Sequence, residues 1–201
     1  MHDIALENVM YLNDIGDLDY GDIYIKDGLI SFIRTKDNWD EVQEATTCYN
    51  LDQKLVIPGI IDPHVHFSLD LGNITSIDDF KSGSIAAAFG GVTTFIDFLE
   101  PVDNAMDLQR AYNKRLAEAK DSVIDYKFHA TLKNPKGNIP QIVDKILELG
   151  ITSVKVFTTY SDTNRRTYDN EIIELLKFSK VHHFTVLVHA ENDEMIEKSF
   201  E

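Results

Sequence analysis

The sequence has 201 residues, of which 43% are hydrophobic and 26% charged, a composition typical of a globular chain with one substantial core and room for a small second domain. Its 34 acidic and 19 basic residues give a net charge of −15, which argues against nucleic acid or an anionic membrane as a partner. The single Cys48 cannot form an internal disulfide, and neither a membrane-spanning run nor a signal-peptide pattern is present, so we predict a cytoplasmic protein.

The opening part of the chain, residues 1–54, has the rhythm of a small β domain. Turn signals at Asn13–Gly16 and Asp27–Gly28 separate short apolar runs, and the second of these is typical of a tight hairpin. Residues 37–50 are polar and predicted to be irregular. The predicted strands are 4–10, 22–26, 29–34 and 51–56.

From residue 55 to residue 201 the pattern changes to alternating strands and helices. The predicted strands are 56–66, 92–99, 126–132, 153–160 and 185–191. The predicted helices are 80–89, 106–120, 139–149 and 171–181, with Asn104 and Asn138 as N-caps of the second and third. This alternation predicts a parallel α/β sheet, either doubly wound or a barrel.

The first of these strands ends in two histidines. The stretch VIPGIIDPHVHF, residues 56–67, begins as a buried apolar strand and carries His64 and His66 at its end. Side chains two apart on a strand point to the same side, so both imidazoles face one point, which favours a metal site. The alternative is a pair of hydrogen-bonded core histidines.

Two further candidate ligands lie on later strands. Lys155 is flanked by apolar residues in the fourth strand, and His189 ends the fifth. Burial would lower the pKa of the Lys155 amine, and a neutral amine can add carbon dioxide to become a carbamate, which can bridge two cations. The alternatives are an amine that reaches past the strand end and a core histidine bonded to a carbonyl.

Four segments then resemble the cyclic amidohydrolases, most closely the dihydropyrimidinases and hydantoinases. They read PGIIDPHVH, DDFKSGSIAAAFGGVTTFIDFLEP, SVKVFTTY and VHAEN, in order along the whole chain. The resemblance implies a (β/α)8 TIM barrel, with about its first five βα units in this chain, preceded by part of a β-sandwich. It also implies two zinc ions, a small cyclic amide or imide as substrate, and a homo-oligomer, a tetramer in the family.

The resemblance also implies a role for each candidate residue. His64 and His66 would bind the more buried metal, and His189 the more exposed one. Lys155, as its carbamate, would bridge both ions. Tyr160 matches the tyrosine that hydrogen-bonds the developing oxyanion.

Neighbouring branches and other classes remain as alternatives. Asp62 fits a supporting role that orients a ligand. Dihydroorotases carry an arginine just after the second histidine, where this chain has Phe67, while allantoinases share the His-Phe pair. Non-catalytic assembly proteins related to dihydropyrimidinase keep the fold and lose the ligands. Single-metal deaminases lack the lysine at the fourth strand. The other histidines, His2, His129 and His182–His183, are predicted to be structural, and the alternative for His129 alone is that it points at the site.

Length is the main departure from the family pattern. A complete barrel takes about 250 residues, and the family's proteins are roughly twice as long as this chain. The remaining histidine ligand and the metal-bound aspartate would lie beyond residue 201. We therefore expect a fragment of a longer enzyme that is inactive by itself.

Overall fold

The computed structural model describes residues 1–41 and 43–199. The chain forms two compact units, Met1–Pro58 and Gly59–Glu201. The predicted assignment of residues 1–54 to a sandwich domain and of 55–201 to an incomplete barrel stays a prediction. Within the described ranges, no helix has the length and apolarity that crossing a membrane requires.

The first unit is built on one five-stranded sheet. Its strands are β1 (His2–Leu12), β2 (Leu18–Lys26), β3 (Leu29–Arg34), β4 (Ala45–Asn50) and β5 (Leu55–Val56). The order is β3-β2-β1-β4, and β5 also pairs with β1. Strands β1, β2 and β3 are antiparallel neighbours, whereas β4 and β5 run parallel to β1. Val9, Tyr11 and Ile23 form its small buried core.

Local turn chemistry explains which predictions held in this unit. Asp27 and Gly28 both have positive φ, 51° and 76°, as a type I′ hairpin requires, so the predicted hairpin is confirmed. The prediction that 37–50 is irregular was wrong for β4, because that strand is held by a parallel pairing with β1 that local pattern does not reveal. The predicted strand 51–56 shrinks to β5, since Asp52 and Gln53 have positive φ.

The second unit alternates parallel strands with helices. The strands are β6 (Ile60–Val65), β7 (Val92–Phe98), β8 (Asp125–Thr131), β9 (Ser153–Phe157) and β10 (Thr185–His189). The helices are α1 (Phe80–Phe89), α2 (Ala105–Glu118), α3 (Ile139–Glu148), α4 (Asp169–His182) and α5 (Asp193–Ser199). The sheet order is β10-β9-β8-β7-β6, all parallel, which confirms the mixed α/β architecture.

Both predicted N-cap residues lie directly before their helices, but only one of them makes a side-chain cap bond. The Asn104 side chain accepts a hydrogen bond from the Asp107 N–H and caps α2 as predicted. Asn138 precedes α3 as predicted, but its side chain makes no cap bond, and its φ of −90° and ψ of 6° differ from the extended conformation that an N-cap residue usually adopts. Its amide donates a hydrogen bond to the Asp103 carbonyl at 3.1 Å.

Strand β6 differs from the buried strand that its apolar sequence predicts. Ile60 is 47% exposed and Ile61 60% exposed. The physical reason is position, since β6 lies at one edge of the sheet and pairs with β7 alone among the described strands. By contrast, Phe95 at the centre of β7 is fully buried.

Candidate active site

The four predicted ligands lie toward the carboxyl ends of three parallel strands. His64 is on β6 and His66 directly follows it, Lys155 is central in β9, and His189 is the last residue of β10. Leu187 pairs with Lys155, and His189 pairs with Phe157, so β9 and β10 are in register up to their carboxyl ends. The carboxyl ends of parallel strands lie on the same side of a sheet, so the three histidines lie at one end of the sheet and Lys155 lies two residues before the end of β9.

The ring of Phe98, at the end of β7, lies among these groups. The His64 and His66 rings are each 4.6 Å from it, centroid to centroid, and His66 stacks on it nearly parallel. The two imidazoles are 5.3 Å from each other. The Lys155 Nζ atom lies 5.8 Å from the same ring and 5.7 Å from that of Phe157.

Three of the candidate donors have no competing partner within the described residues. There, the ring nitrogens of His64 and His66 and the amine of Lys155 form no hydrogen bond and no ion pair. Burial against aromatic rings lowers the pKa of Lys155, which favours the neutral, CO₂-reactive amine. No group of three or more His, Cys, Asp or Glu side chains that could hold a metal occurs in residues 1–41 and 43–199.

His189 is engaged differently. Its Nε2 atom contacts the Glu191 carboxylate in a short hydrogen bond and lies 3.4 Å from the Tyr160 hydroxyl. Metal binding through this nitrogen would have to replace the Glu191 contact. The donor set therefore fits a metal chemically, with three free groups and one that must exchange a partner.

Tyr160 lies just beyond β9, which ends at Phe157 rather than at residue 160 as predicted. Its φ of 66° is in the left-handed region, a conformation that non-glycine residues rarely adopt. The Tyr160 carbonyl accepts hydrogen bonds from the Arg165 N–H at 2.9 Å and the Thr163 hydroxyl at 3.3 Å. These bonds hold the turn that aims the phenol at His189.

A cavity of about 470 Å³ opens beside these residues. His66, Tyr160 and His189 line it together with Phe98, whereas His64 and Lys155 are not among its lining residues. Loss of solvation lowers the pKa of His66, and positive charge at His64 lowers it further. The cavity thus brings together two candidate ligands and the candidate hydrogen-bond donor.

Asp62 contacts the backbone of the ligand segment rather than a ligand ring. Its Oδ1 atom accepts a hydrogen bond from the His64 N–H at 3.1 Å. The predicted supporting role in ligand orientation stays a prediction, but this contact places the carboxylate where it constrains the His64 backbone.

The sequence interpretation missed an ion pair next to the site. Asp97 on β7 is fully buried and Arg115 on α2 is 9% exposed, and they are joined by contacts of 2.9 and 3.0 Å. A signal was available, since Arg115 falls on the same helical face as the buried Leu108 and Ala111, and Asp97 interrupts an apolar strand. Two opposite charges in buried positions predict a pair.

His129 is a core histidine with both ring nitrogens engaged, in agreement with its predicted structural role. Nε2 lies 2.8 Å from the Pro63 carbonyl oxygen and Nδ1 lies 2.5 Å from the Ser153 hydroxyl. The side chain is buried, with 3% exposed, and this desolvation lowers its pKa against the opposing effect of the Pro63 carbonyl.

Comparison with known proteins gives consistent matches. A sequence model of the amidohydrolase family matches residues 55–201. The D-hydantoinase of Geobacillus stearothermophilus is 38% identical over 189 residues, which cover 90% of this chain and 38% of that protein. The dihydropyrimidinase of Arabidopsis thaliana is 31% identical over 176 residues, which cover 87% of this chain and 32% of that protein.

Comparison of the fold with solved structures also gives matches to hydantoinases. The solved structure of a D-hydantoinase from a Bacillus sp. AR9 superposes with a TM-score of 0.84 at 28% identity, covering 97% of this chain and 41% of that one. This chain therefore spans between about a third and two fifths of the length of the relatives that it matches.

Proposed function

Because this chain belongs to the amidohydrolase family, we propose that it provides part of the active site of an enzyme that hydrolyses a C–N bond in a cyclic amide or imide. The resemblance to hydantoinases and dihydropyrimidinases predicted from the motifs is confirmed by the relatives. Those relatives favour a small cyclic substrate of the hydantoin or dihydropyrimidine class. They do not favour the allantoinase, dihydroorotase or non-catalytic alternatives.

One observation carries the proposal: β6 and β9 present His64, His66 and Lys155, whose donor atoms have no partner among the described residues. His189 of β10 and Tyr160 line one cavity together with His66. We propose that the three histidines and the carbamate of Lys155 hold two divalent metal ions, zinc being the metal that imidazole and carboxylate-like ligands suit well. When bound, such ions polarise a carbonyl and lower the pKa of water to near neutrality.

Lys155 would acquire its ligand atoms by a simple addition. The neutral amine nitrogen attacks carbon dioxide, an N–C bond forms, one C=O π bond becomes a carboxylate, and a proton leaves to solvent. The lowered pKa of Lys155 supports this step, because it raises the fraction of amine that carries a free electron pair.

Tyr160 would act on the substrate. Tyr160 lines a cavity together with His66 and His189, where its hydroxyl would donate a hydrogen bond to an oxygen that gains negative charge as the ring opens. The contact with His189 at 3.4 Å is long for a hydrogen bond, which leaves the phenol free to turn toward a substrate.

The finer architecture is also part of the proposal. We infer that β6 to β10 are the first five strands of a TIM barrel, that the first unit is one sheet of a sandwich, and that the protein assembles as a homo-oligomer. The share of the relatives' length that this chain spans supports an active site completed by further residues.

The test is ring opening of dihydrouracil and hydantoin by a protein of full family length that contains this chain, supplied with zinc and bicarbonate. Lys155→Ala should abolish turnover, and short carboxylic acids should restore part of it by standing in for the carbamate. The matched control is Lys127→Ala on β8, which changes a lysine on a neighbouring strand outside the proposed ligand set. Normal turnover of Lys155→Ala without added acid would overturn the proposal.

A further inference from the structure

The strand segment that carries His64 and His66 departs from regular β pairing between Asp62 and Val65. Strand β6 pairs Asp62 with Phe95 and then Val65 with Asp97, so three steps along β6 oppose two along β7. This count is that of a β-bulge, which interrupts the ladder at Pro63 and His64. Backbone polar groups that lose a ladder partner need another one.

At the start of the segment, the partner is a side chain from β8. The Pro63 carbonyl can only accept, so His129 donates to it through Nε2–H at 2.8 Å. In the neutral ring, Nδ1 is then the acceptor for the Ser153 hydroxyl at 2.5 Å. Ser153 opens β9, two residues before Lys155. One buried imidazole therefore connects the strand of His64 to the strand of Lys155.

At the end of the segment, the Asp97–Arg115 ion pair supplies the hydrogen-bond partners of the backbone. The Phe67 N–H donates to Asp97 Oδ2 at 3.2 Å, and the Phe67 carbonyl accepts from Arg115 Nη2 at 2.5 Å. Arg115 is itself fixed by Glu118 at 2.8 Å and lies over the Phe80 ring at 4.6 Å. Both backbone polar groups of the residue after His66 are thus held by one buried pair.

We propose that His129 and the Asp97–Arg115 pair are positioning residues for the metal site, holding the segment from Pro63 to Phe67 at both ends so that His64 and His66 present their rings together. The predicted effect on metal binding rests on the proposed function. The predicted effect on the rigidity of the segment rests on the hydrogen bonds alone. None of these three side chains is a proposed ligand.

Amide hydrogen exchange of the 201-residue chain tests the rigidity. His129→Leu removes both ring hydrogen bonds, and His129→Gln keeps an N–H donor at about the position of Nε2. Exchange at residues 64–67 should rise about tenfold in the leucine variant, as expected for one lost hydrogen bond, and should return toward wild type in the glutamine variant.

The matched control is Ile146→Val, a fully buried position on α3 that lowers global stability without touching the segment. The proposal is overturned if exchange at residues 64–67 rises no more in His129→Leu than in a control of equal global stability. Asp97→Asn, which keeps the shape and removes the charge, should raise exchange at Phe67 in the same selective way.

Zinc binding by a protein of full family length that contains this chain provides the second readout. His129→Leu should weaken zinc affinity by about tenfold, the lower end of what loss of a supporting contact costs, with recovery in His129→Gln. If wild-type protein binds no zinc while the exchange result holds, the proposed metal site fails and the positioning of the segment stands. Equal zinc affinity in wild type and both His129 variants would contradict the positioning role.

Discussion

Strands β6 and β7 are neighbours in one sheet, yet they are held in different ways. β7 has a partner on each side, pairs with β8 without interruption from Thr94 to Phe98, and buries Phe95 completely. β6 has one partner among the described strands, an interrupted register and exposed apolar side chains at Ile60 and Ile61. The regular strand belongs to the core, and the irregular one carries the two candidate ligands. Ladder bonds and apolar burial hold β7, whereas side chains from β7, β8 and α2 hold the end of β6.

The largest expected effect comes from the core side of this comparison. Phe95→Ala should destabilise the chain by about 3–5 kcal/mol, because it removes a fully buried aromatic ring and leaves a cavity. Ile61→Ala on β6 is the control and should cost less than about 1 kcal/mol, since that side chain is already exposed. Urea unfolding of both variants measures the difference, and equal losses would show that the two strands are not held differently.

A smaller effect is expected where α1 meets the end of the ligand segment. A Cβ atom at Gly83 would lie 2.2 Å from the Phe67 ring, so Gly83→Ala must displace that ring. We expect a loss of about 1–3 kcal/mol from overpacking, although alanine is the better helix former.

Gly90→Ala is the matched control for this substitution at the end of the same helix. Its φ of −82° suits any residue, and its nearest contact would be 3.3 Å to the Ala87 carbonyl. Unfolding curves and the NMR shifts of His66 report the outcome. A stable Gly83→Ala variant with unchanged His66 shifts would contradict the tight contact of Phe67 with α1.

The smallest expected effect is a dependence of stability on pH. The pKa values of His66 and His129 are lowered in the folded chain, chiefly by desolvation, so below pH of about 6.5 the unfolded chain binds more protons than the folded one. Their contribution to stability is complete above that pH and is lost as pH falls toward the lowered values. Urea midpoints at neutral and mildly acidic pH measure the loss, and His129→Gln should reduce it. An unchanged pH dependence in this variant would contradict the account.

The elements that could be predicted correctly from the sequence are those that apolar spacing and turn residues determine. The five parallel strands, the helices between them and the Asp27–Gly28 hairpin follow from apolar spacing and turn residues. Sequence reasoning failed where a distant partner decides, as at β4, which pairs with β1. Propensity carries no information about such pairings.

In the candidate site, too, some features could be predicted from the sequence and others could not. The positions of His64 and His66 at the end of β6 and of Lys155 within β9 could be predicted, because chain order and strand direction fix them. The bulge at Pro63 and the side chains that hold it could not, since they depend on the register between β6 and β7. The contact of His189 with Glu191 was also missed, although the two are only two residues apart.

The most direct measurement of the central claim is the zinc bound per chain, by elemental analysis, in a protein of full family length that contains these residues, purified with and without bicarbonate. The account predicts zinc binding that increases with bicarbonate and is lost in Lys155→Ala and in the double substitution of His64 and His66 by asparagine. Zinc binding that is the same with and without bicarbonate, and unchanged by Lys155→Ala, would contradict the carbamate and with it the proposed metal site.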